Sequence, residues 1–162
     1  MKVKKLYTGI SLIEKKYKKN EKYFFLKTPN VAIIIAKFNN KFLIVSQKRI
    51  AVDKITYEFP GGFIDKGSSP KKTAKKELFE ETGYKCINNP KKIISFYPEP
   101  GRIKCKYFCY SANKIIKVNN PEKGINLHLF SKSQILNLIK KEKFNHACHS
   151  YAFLSFLSSK NI

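Results

Sequence analysis

Two β-branched, aromatic-rich runs, Val31 to Phe38 and Lys41 to Gln47, flank Asn39-Asn40, a pair that tolerates the positive φ of a tight turn; together they predict a hairpin. Tyr57-Glu58-Phe59 reads as a short strand stopped by Pro60-Gly61-Gly62, where bare backbone lets another group come close. A loop to Ser68 follows. From Ser69 to Thr82 the pattern turns helical: Ser69 is placed to cap, Pro70 suits the first helical position, and Gly83 suits a left-handed terminus. Ile93 to Tyr97 and Ile103 to Tyr110 predict two strands around the turn Pro98-Glu99-Pro100-Gly101, with another short strand from Ile125 to Phe130. The period then lengthens. Ser131-x-x-Gln134 has capping-box spacing ahead of Ile135, Leu138 and Ile139 in a helix reaching Lys143, and a last helix near Ala147 to Ser158 carries Tyr151, Leu154 and Phe156. The sum is a mixed sheet with helices against it, an α/β (α+β) class.

With 162 residues the chain fits one domain, expected to span residues 1 to 162, with 1 to 28 as an N-terminal edge or dimerisation segment. No stretch reaches the roughly 18 apolar residues of a membrane span, and the basic N-terminus lacks the pattern of a secretion signal. Cys86, Cys105, Cys109 and Cys148 lack the spacing of a disulfide framework, so reduced thiols in a cytoplasmic protein are expected. A zinc reading combining Cys105 and Cys109 with His146, Cys148 and His149 competes with two thiols on one face of a strand, and tight C-x-x-C pairs are absent.

The formal charge is +22, and of 33 basic residues only Arg49 and Arg102 are arginine. This lysine excess is either a bias of the whole sequence or a field that attracts polyanions, nucleotide phosphates or RNA. The lysine runs are scattered and define no groove along the chain.

The helix from Ser69 is charged against its own dipole. Glu77, Glu80 and Glu81, spaced i, i+3 and i+4, crowd one face of the last turns, while Lys71 and Lys72 open the helix. Each like-charge pair costs roughly 0.2 to 0.5 kcal/mol, and each carboxylate near the C-terminus a further ~0.3 to 1 kcal/mol. Four of only 11 acidic residues, Asp65 and the three glutamates, fall in this segment. A sequence that breaks local rules so consistently points to a compensating ligand, and oxygen ligands on a rigid turn suit Mg²⁺ or Mn²⁺. A solvated acidic face is the competing reading.

Gly62 to Tyr84, GFIDKGSSPKKTAKKELFEETGY, resembles the Nudix box, G-x5-E-x7-R-E-U-x-E-E-x-G-U with U aliphatic; Gly62, Glu77, Leu78, Glu80, Glu81 and Gly83 match at the required spacing. Ser68 stands where the family has its first glutamate, Lys76 where it has arginine, and Tyr84 at the last aliphatic position. Gln47-Lys48-Arg49, Tyr57-Glu58-Phe59-Pro60-Gly61-Gly62 and the Pro98–Gly101 turn are similar to segments of the ADP-ribose and ADP-sugar pyrophosphatases, which commonly carry a glutamate near the position of Cys105. The resemblance implies an α/β/α sandwich with a mixed central sheet. It also implies a pyrophosphohydrolase that cleaves the diphosphate of a small nucleotide, ADP-ribose or an ADP-sugar, with Mg²⁺ or Mn²⁺.

By the same resemblance Glu77 and Glu81 are the direct metal ligands, Glu80 adds a ligand or a water contact, and the Gly61 carbonyl completes the shell. Arg49, Glu58 and Arg102 are the expected substrate-binding residues, and Glu122, in a later loop, the expected catalytic base. A homodimer paired through N-terminal strands is implied as well. The charge of +22 with Ser68, Lys76 and Cys105 raises one alternative, a catalytically weakened RNA-binding module; another is a hydrolase of the mRNA cap diphosphate, with the same metal site cleaving the cap and the lysines holding the RNA.

Overall fold

The computed structural model describes residues 2–19 and 21–159, so Met1, Asn20 and the last three positions of the expected 1–162 domain lie outside the described residues. Along the chain come β1 (Lys2–Tyr7), β2 (Ile10–Lys16), β3 (Lys22–Lys27), β4 (Val31–Phe38), β5 (Lys41–Arg49), β6 (Lys54–Glu58) and β7 (Gly61–Phe63). Helix α1 (Pro70–Thr82) is followed by β8 (Tyr84–Cys86), β9 (Lys91–Phe96), β10 (Ile103–Lys104), β11 (Tyr107–Ala112), β12 (Ile115–Lys117) and β13 (Asn126–Phe130). Helices α2 (Lys132–Lys140) and α3 (Ala147–Ser158) close the chain.

A mixed seven-stranded sheet runs in the order β13-β5-β4-β11-β9, with β6 on β5 and β7 on β4. Only β11 against β4 is parallel within it. Strand β4 lies at its centre and is apolar on both faces because both are covered. Val31, Ile33 and Ile35 face one cluster with Phe42, Phe59, Ile135 of α2 and Phe153 of α3. Ala32, Ile34 and Ala36 face the other, with Leu43 and with Ala74 and Leu78 of α1. This is the period of two expected of a strand, and it makes the molecule an α/β/α sandwich. Burying each such aliphatic side chain contributes roughly 1.5 to 3 kcal/mol.

Both ends of α1 follow the sequence signals. The Ser69 side chain accepts from the Lys72 backbone N–H, and Gly83 takes φ 74° while its N–H donates to Phe79. A Cβ at Gly83 would stand 2.0 Å from the Asn119 carbonyl oxygen, so space as well as conformation demands glycine there. Helix α2 has the full capping box, but it ends at Lys140 rather than Lys143, because Lys143 and Phe144 fold back to donate to the Leu138 carbonyl across a positive φ at Glu142.

One expected strand divides in two. Instead of running unbroken from Ile103 to Tyr110, the chain leaves β10 at Cys105, whose thiol donates to the Pro29 carbonyl, and Lys106 bonds to Asn30 and Val31 before β11 begins. β10 therefore pairs in parallel with β3, while β11 joins the central sheet. The N-terminal segment, expected as an edge or arm, forms a four-stranded sheet, β1-β2-β3-β10, docked through this short link. No helix among the described residues is long and apolar enough to cross a membrane.

Candidate active site

Strand β7 and helix α1 bring the box residues together. The Gly61 N–H donates to Glu81 Oε2 at 3.0 Å, so the buried Glu81 carboxylate turns inward onto the strand end. At Gly62 a Cβ would stand 2.6 Å from the Glu77 carboxylate, so the missing side chain is what makes room for Glu77. Burial pushes the Glu81 carboxyl up to about 8, with the charges of Glu77 and Glu58 adding to it and the Gly61 N–H opposing. Glu77 is raised for the same first reason, then by Glu80, with Asp65 and Glu122 also contributing. Carboxyls held in mutual repulsion out of water form a donor set that a hard divalent cation would relieve. Glu80 differs from its two neighbours. It is exposed and sits 3.6 Å from Lys76 Nζ, which also lies 3.5 Å from Asp65.

A second arm rises from β5 and β6. Glu58, buried, accepts from Arg49 Nε at 2.8 Å and Nη2 at 2.5 Å, and from the Thr56 hydroxyl at 2.5 Å. Burial alone would push Glu58 up, but the bonds from Arg49 and Thr56 carry it down to about 2. The same bidentate contact raises the pKa of Arg49. Glu58 thus spends its oxygens within the protein, and the partly exposed guanidinium is the group turned outward.

Helix α3 supports this arm with His149, which the sequence reading placed only in an alternative zinc cluster. Its Nδ1 accepts the Phe59 N–H at 3.0 Å, and its Nε2 lies 3.8 Å from Glu58. Burial, with His146 beside it, pushes His149 down to about 3, so the ring is neutral. Glu58, His146 and His149 offer donor atoms within 4.8 Å of one another, the dimensions of a metal site. The tautomer argues against that use. A metal-bound imidazole donates from its other nitrogen, whereas here Nδ1 is the acceptor, which puts the proton on Nε2 facing Glu58. No cysteine joins this group, so the zinc reading through Cys105, Cys109 and Cys148 finds no common centre among the described residues. Nothing in the local sequence around His149 marks its role, since its partners lie about ninety residues away.

The other expected residues are placed as follows. Glu122 reaches α1 through its backbone, whose N–H donates to Glu80, and Val118 and Asn119 donate to Gly83, so its loop rests on the carboxylate-bearing end of the helix. Ser68 accepts from the Thr73 hydroxyl at 3.1 Å and so braces the start of α1. The Arg102 guanidinium lies 4.9 Å above the Tyr23 ring of β3. Cys105 is a buried thiol whose pKa burial raises, which suits neither metal binding nor nucleophilic attack.

Known proteins resemble this chain in sequence and in fold. Over 90 residues the chain is 38% identical to the methanol dehydrogenase activator of Bacillus methanolicus, covering 56% of this chain and 48% of that one. Over 71 residues it is 38% identical to the ADP-ribose pyrophosphatase of Bacillus subtilis, covering 44% and 38%. The chain thus spans less than half the length of either relative. A crystal structure of an ADP compounds hydrolase superposes with a TM-score of 0.77 over 92% of this chain and 84% of that one at 14% identity, a likeness of fold. The NUDIX domain model matches residues 26–148, from the end of β3 into α3 and across the whole carboxylate site, and the chain belongs to the Nudix family.

Proposed function

We propose that this chain is a metal-dependent pyrophosphohydrolase that cleaves the diphosphate of a nucleoside diphosphate derivative, with ADP-ribose or an ADP-sugar as substrate. It acts as a single, cytoplasmic domain and as a homodimer. The observation that carries the reading is the pairing of Glu81, buried and bonded to the Gly61 N–H, with Glu77 beside Gly62: two carboxyls held in a place that favours them only when a cation is shared. The substrate class draws support from the likeness to the Bacillus subtilis ADP-ribose pyrophosphatase.

Glu77, Glu81 and the Gly61 carbonyl would hold Mg²⁺ or Mn²⁺, and Glu80 would add a contact from the exposed side. The ion supplies charge neutralisation and polarisation of the phosphoryl oxygens. Arg49 grips a phosphate through its outward-facing N–H groups, and Glu58 and Thr56 fix the guanidinium so that little freedom is lost on binding. Glu122, carried on the loop against α1, takes the proton of the attacking water as its oxygen bonds to phosphorus and the bridging P–O bond breaks. The products are a nucleoside monophosphate and a phosphorylated second fragment. Lys76 replaces a forked arginine with a point charge, and its bridge to Asp65 and Glu80 keeps positive charge beside the glutamates.

The test is a panel of nucleotide substrates assayed with Mg²⁺ and with Mn²⁺ on the parent protein and on Glu81→Gln. Loss of a partner outside the coordination shell costs a metal site roughly 10- to 100-fold, so losing a direct ligand should cost at least about a hundredfold. Unchanged turnover in Glu81→Gln would remove this chemistry. Absence of turnover in the parent with both metals would favour the catalytically weakened module, and turnover of a capped RNA alone would favour the cap hydrolase.

A further inference from the structure

Outside the carboxylate site, one small hollow stands apart by its chemistry. It has a volume of about 170 Å³, and its polar lining is Lys37, Asn88, Asn89, Lys91, Ser111 and Asn113. No acidic residue lines it, and Phe156 of α3 forms part of its apolar wall. The fold draws these residues from the end of β4, the link from β8 into β9, and the end of β11 with the turn after it. Lys91 lies opposite Ser111 across the β9–β11 ladder, and side chains of a directly opposed pair leave the sheet on one face. Ser111 is level with Ile35, and Lys37 lies two positions beyond Ile35, so all stand on the face that α3 covers. Helix α1, with its glutamates, packs on the other face. Lys37 is also four positions along β4 from Ile33, the partner of Gly61, about 13 Å at the rise of a strand. Its Nζ lies 4.9 Å over the Phe42 ring.

Within this hollow the Asn88 Oδ1 atom is buried and has no hydrogen-bond partner in the protein. Buried acceptors are nearly always bonded, so one left over in a polar hollow calls for a donor. We propose that the hollow is a site for a small phosphorylated sugar. A sugar hydroxyl donates to Asn88 Oδ1, while the phosphate rests against Lys91 and accepts from the side-chain N–H groups of Asn89 and Asn113. A bare oxyanion suits Lys91 but offers Asn88 little beyond lone pairs, and a neutral sugar supplies the hydroxyl without the charge. Hydroxyls both donate and accept, so a second one suits Ser111. The volume sets the upper size: it falls below the roughly 300 to 1,000 Å³ of pockets for drug-sized ligands, which leaves no room for a whole nucleotide. None of the lining residues belongs to the proposed metal site or to the Arg49 arm, and binding needs neither ion nor turnover. The site therefore stands or falls apart from the hydrolase reading.

The test titrates the full isotope-labelled chain in EDTA with ribose 5-phosphate, with ribose and with inorganic phosphate, followed by NMR. Ribose 5-phosphate is expected to bind more tightly than either of the others, with shifts at the backbone amides of Asn88, Asn89 and Ser111. Lys91→Gln should weaken it about tenfold, the loss of one hydrogen bond to a charged group, and leave nucleotide turnover unchanged. Asn88→Leu keeps a similar volume without the acceptor and should bring ribose 5-phosphate down to the affinity of inorganic phosphate. A melting curve reports whether that variant has folded, and Lys91→Gln, at an exposed position, decides the matter if it has not. Three results overturn the proposal: no shifts with ribose 5-phosphate, inorganic phosphate binding as tightly as ribose 5-phosphate, or an affinity that Lys91→Gln leaves unchanged. If Arg49→Ala abolishes that last affinity, the compound belongs to the diphosphate site instead.

Discussion

At the scale of the residue, Glu58 and Glu81 show how one strand end holds two carboxyls in opposite states. Glu58 is charged because Arg49 and Thr56 donate to it, whereas Glu81 has one backbone donor and repelling neighbours. Arg49→Ala leaves Glu58 buried without its cation. A fully buried pair broken in this way costs roughly 3 to 5 kcal/mol, and the partly exposed guanidinium reduces this to about 2 kcal/mol, readable by urea denaturation. Turnover should fall at the same time through a raised KM.

Glu81 has its own pH signature. Its folded pKa of about 8 lies above the unfolded value, so without metal the folded state binds the extra proton, and stability falls as pH rises from about 4.5 towards 8, by at most about 1.4 kcal/mol per unit. Glu58 acts in the other window, its contribution being lost only as pH falls from about 4.5 towards 2. Metal needs the ionised Glu81, so Mn²⁺ affinity should strengthen between pH 6 and 8, with release of a proton. Calorimetry in two buffers of different ionisation enthalpy would read both, and a pH-independent affinity would contradict the assignment.

Among the elements, α3 has the least obvious part. Through His149 it holds the Phe59 N–H, between the residue that clamps Arg49 and the glycine that meets Glu81. His149→Asn keeps an acceptor at the Nδ1 position and should retain most of the turnover, whereas His149→Leu leaves the Phe59 N–H unpaired and should cost about 1 to 3 kcal/mol in stability. Equal melting temperatures for the two variants would deny the latch. The sequence carried α1 almost whole, because Ser69, Pro70 and Gly83 act locally on their own backbone. It could not carry β10 and β11 as separate strands, since the break at Cys105 depends on Pro29 and Asn30, about 76 positions earlier. The acidic trio was legible by spacing, but its division into an inward Glu81 and an outward Glu80 follows from β7 and Lys76, which spacing does not encode. The contact of Arg102 with Tyr23 was not legible for a similar reason: it depends on β10 pairing with β3.

For the molecule as a whole, the charge of +22 is spread over a surface with few acidic partners. Self-repulsion of this size destabilises the compact state and is screened by salt, so the melting temperature should rise between low and moderate sodium chloride, most steeply below the roughly 0.1 M at which the Debye length reaches about 10 Å. A flat response would mean that the lysines are neutralised by something other than simple ions. The composition showed the excess charge, and only the folded chain showed that part of it, at Lys37 and Lys91, collects among side-chain amides.

The crowding at Gly83 reaches further than the helix it ends. Because the Asn119 carbonyl occupies the space a β-carbon would need, the tip of α1 and the stretch bearing Glu122 are seated against each other without clearance. Descendants of this chain can therefore lengthen or shorten that stretch only on its outer side, near Gly124, where there is open room. Its inner rim has to be inherited together with the glycine.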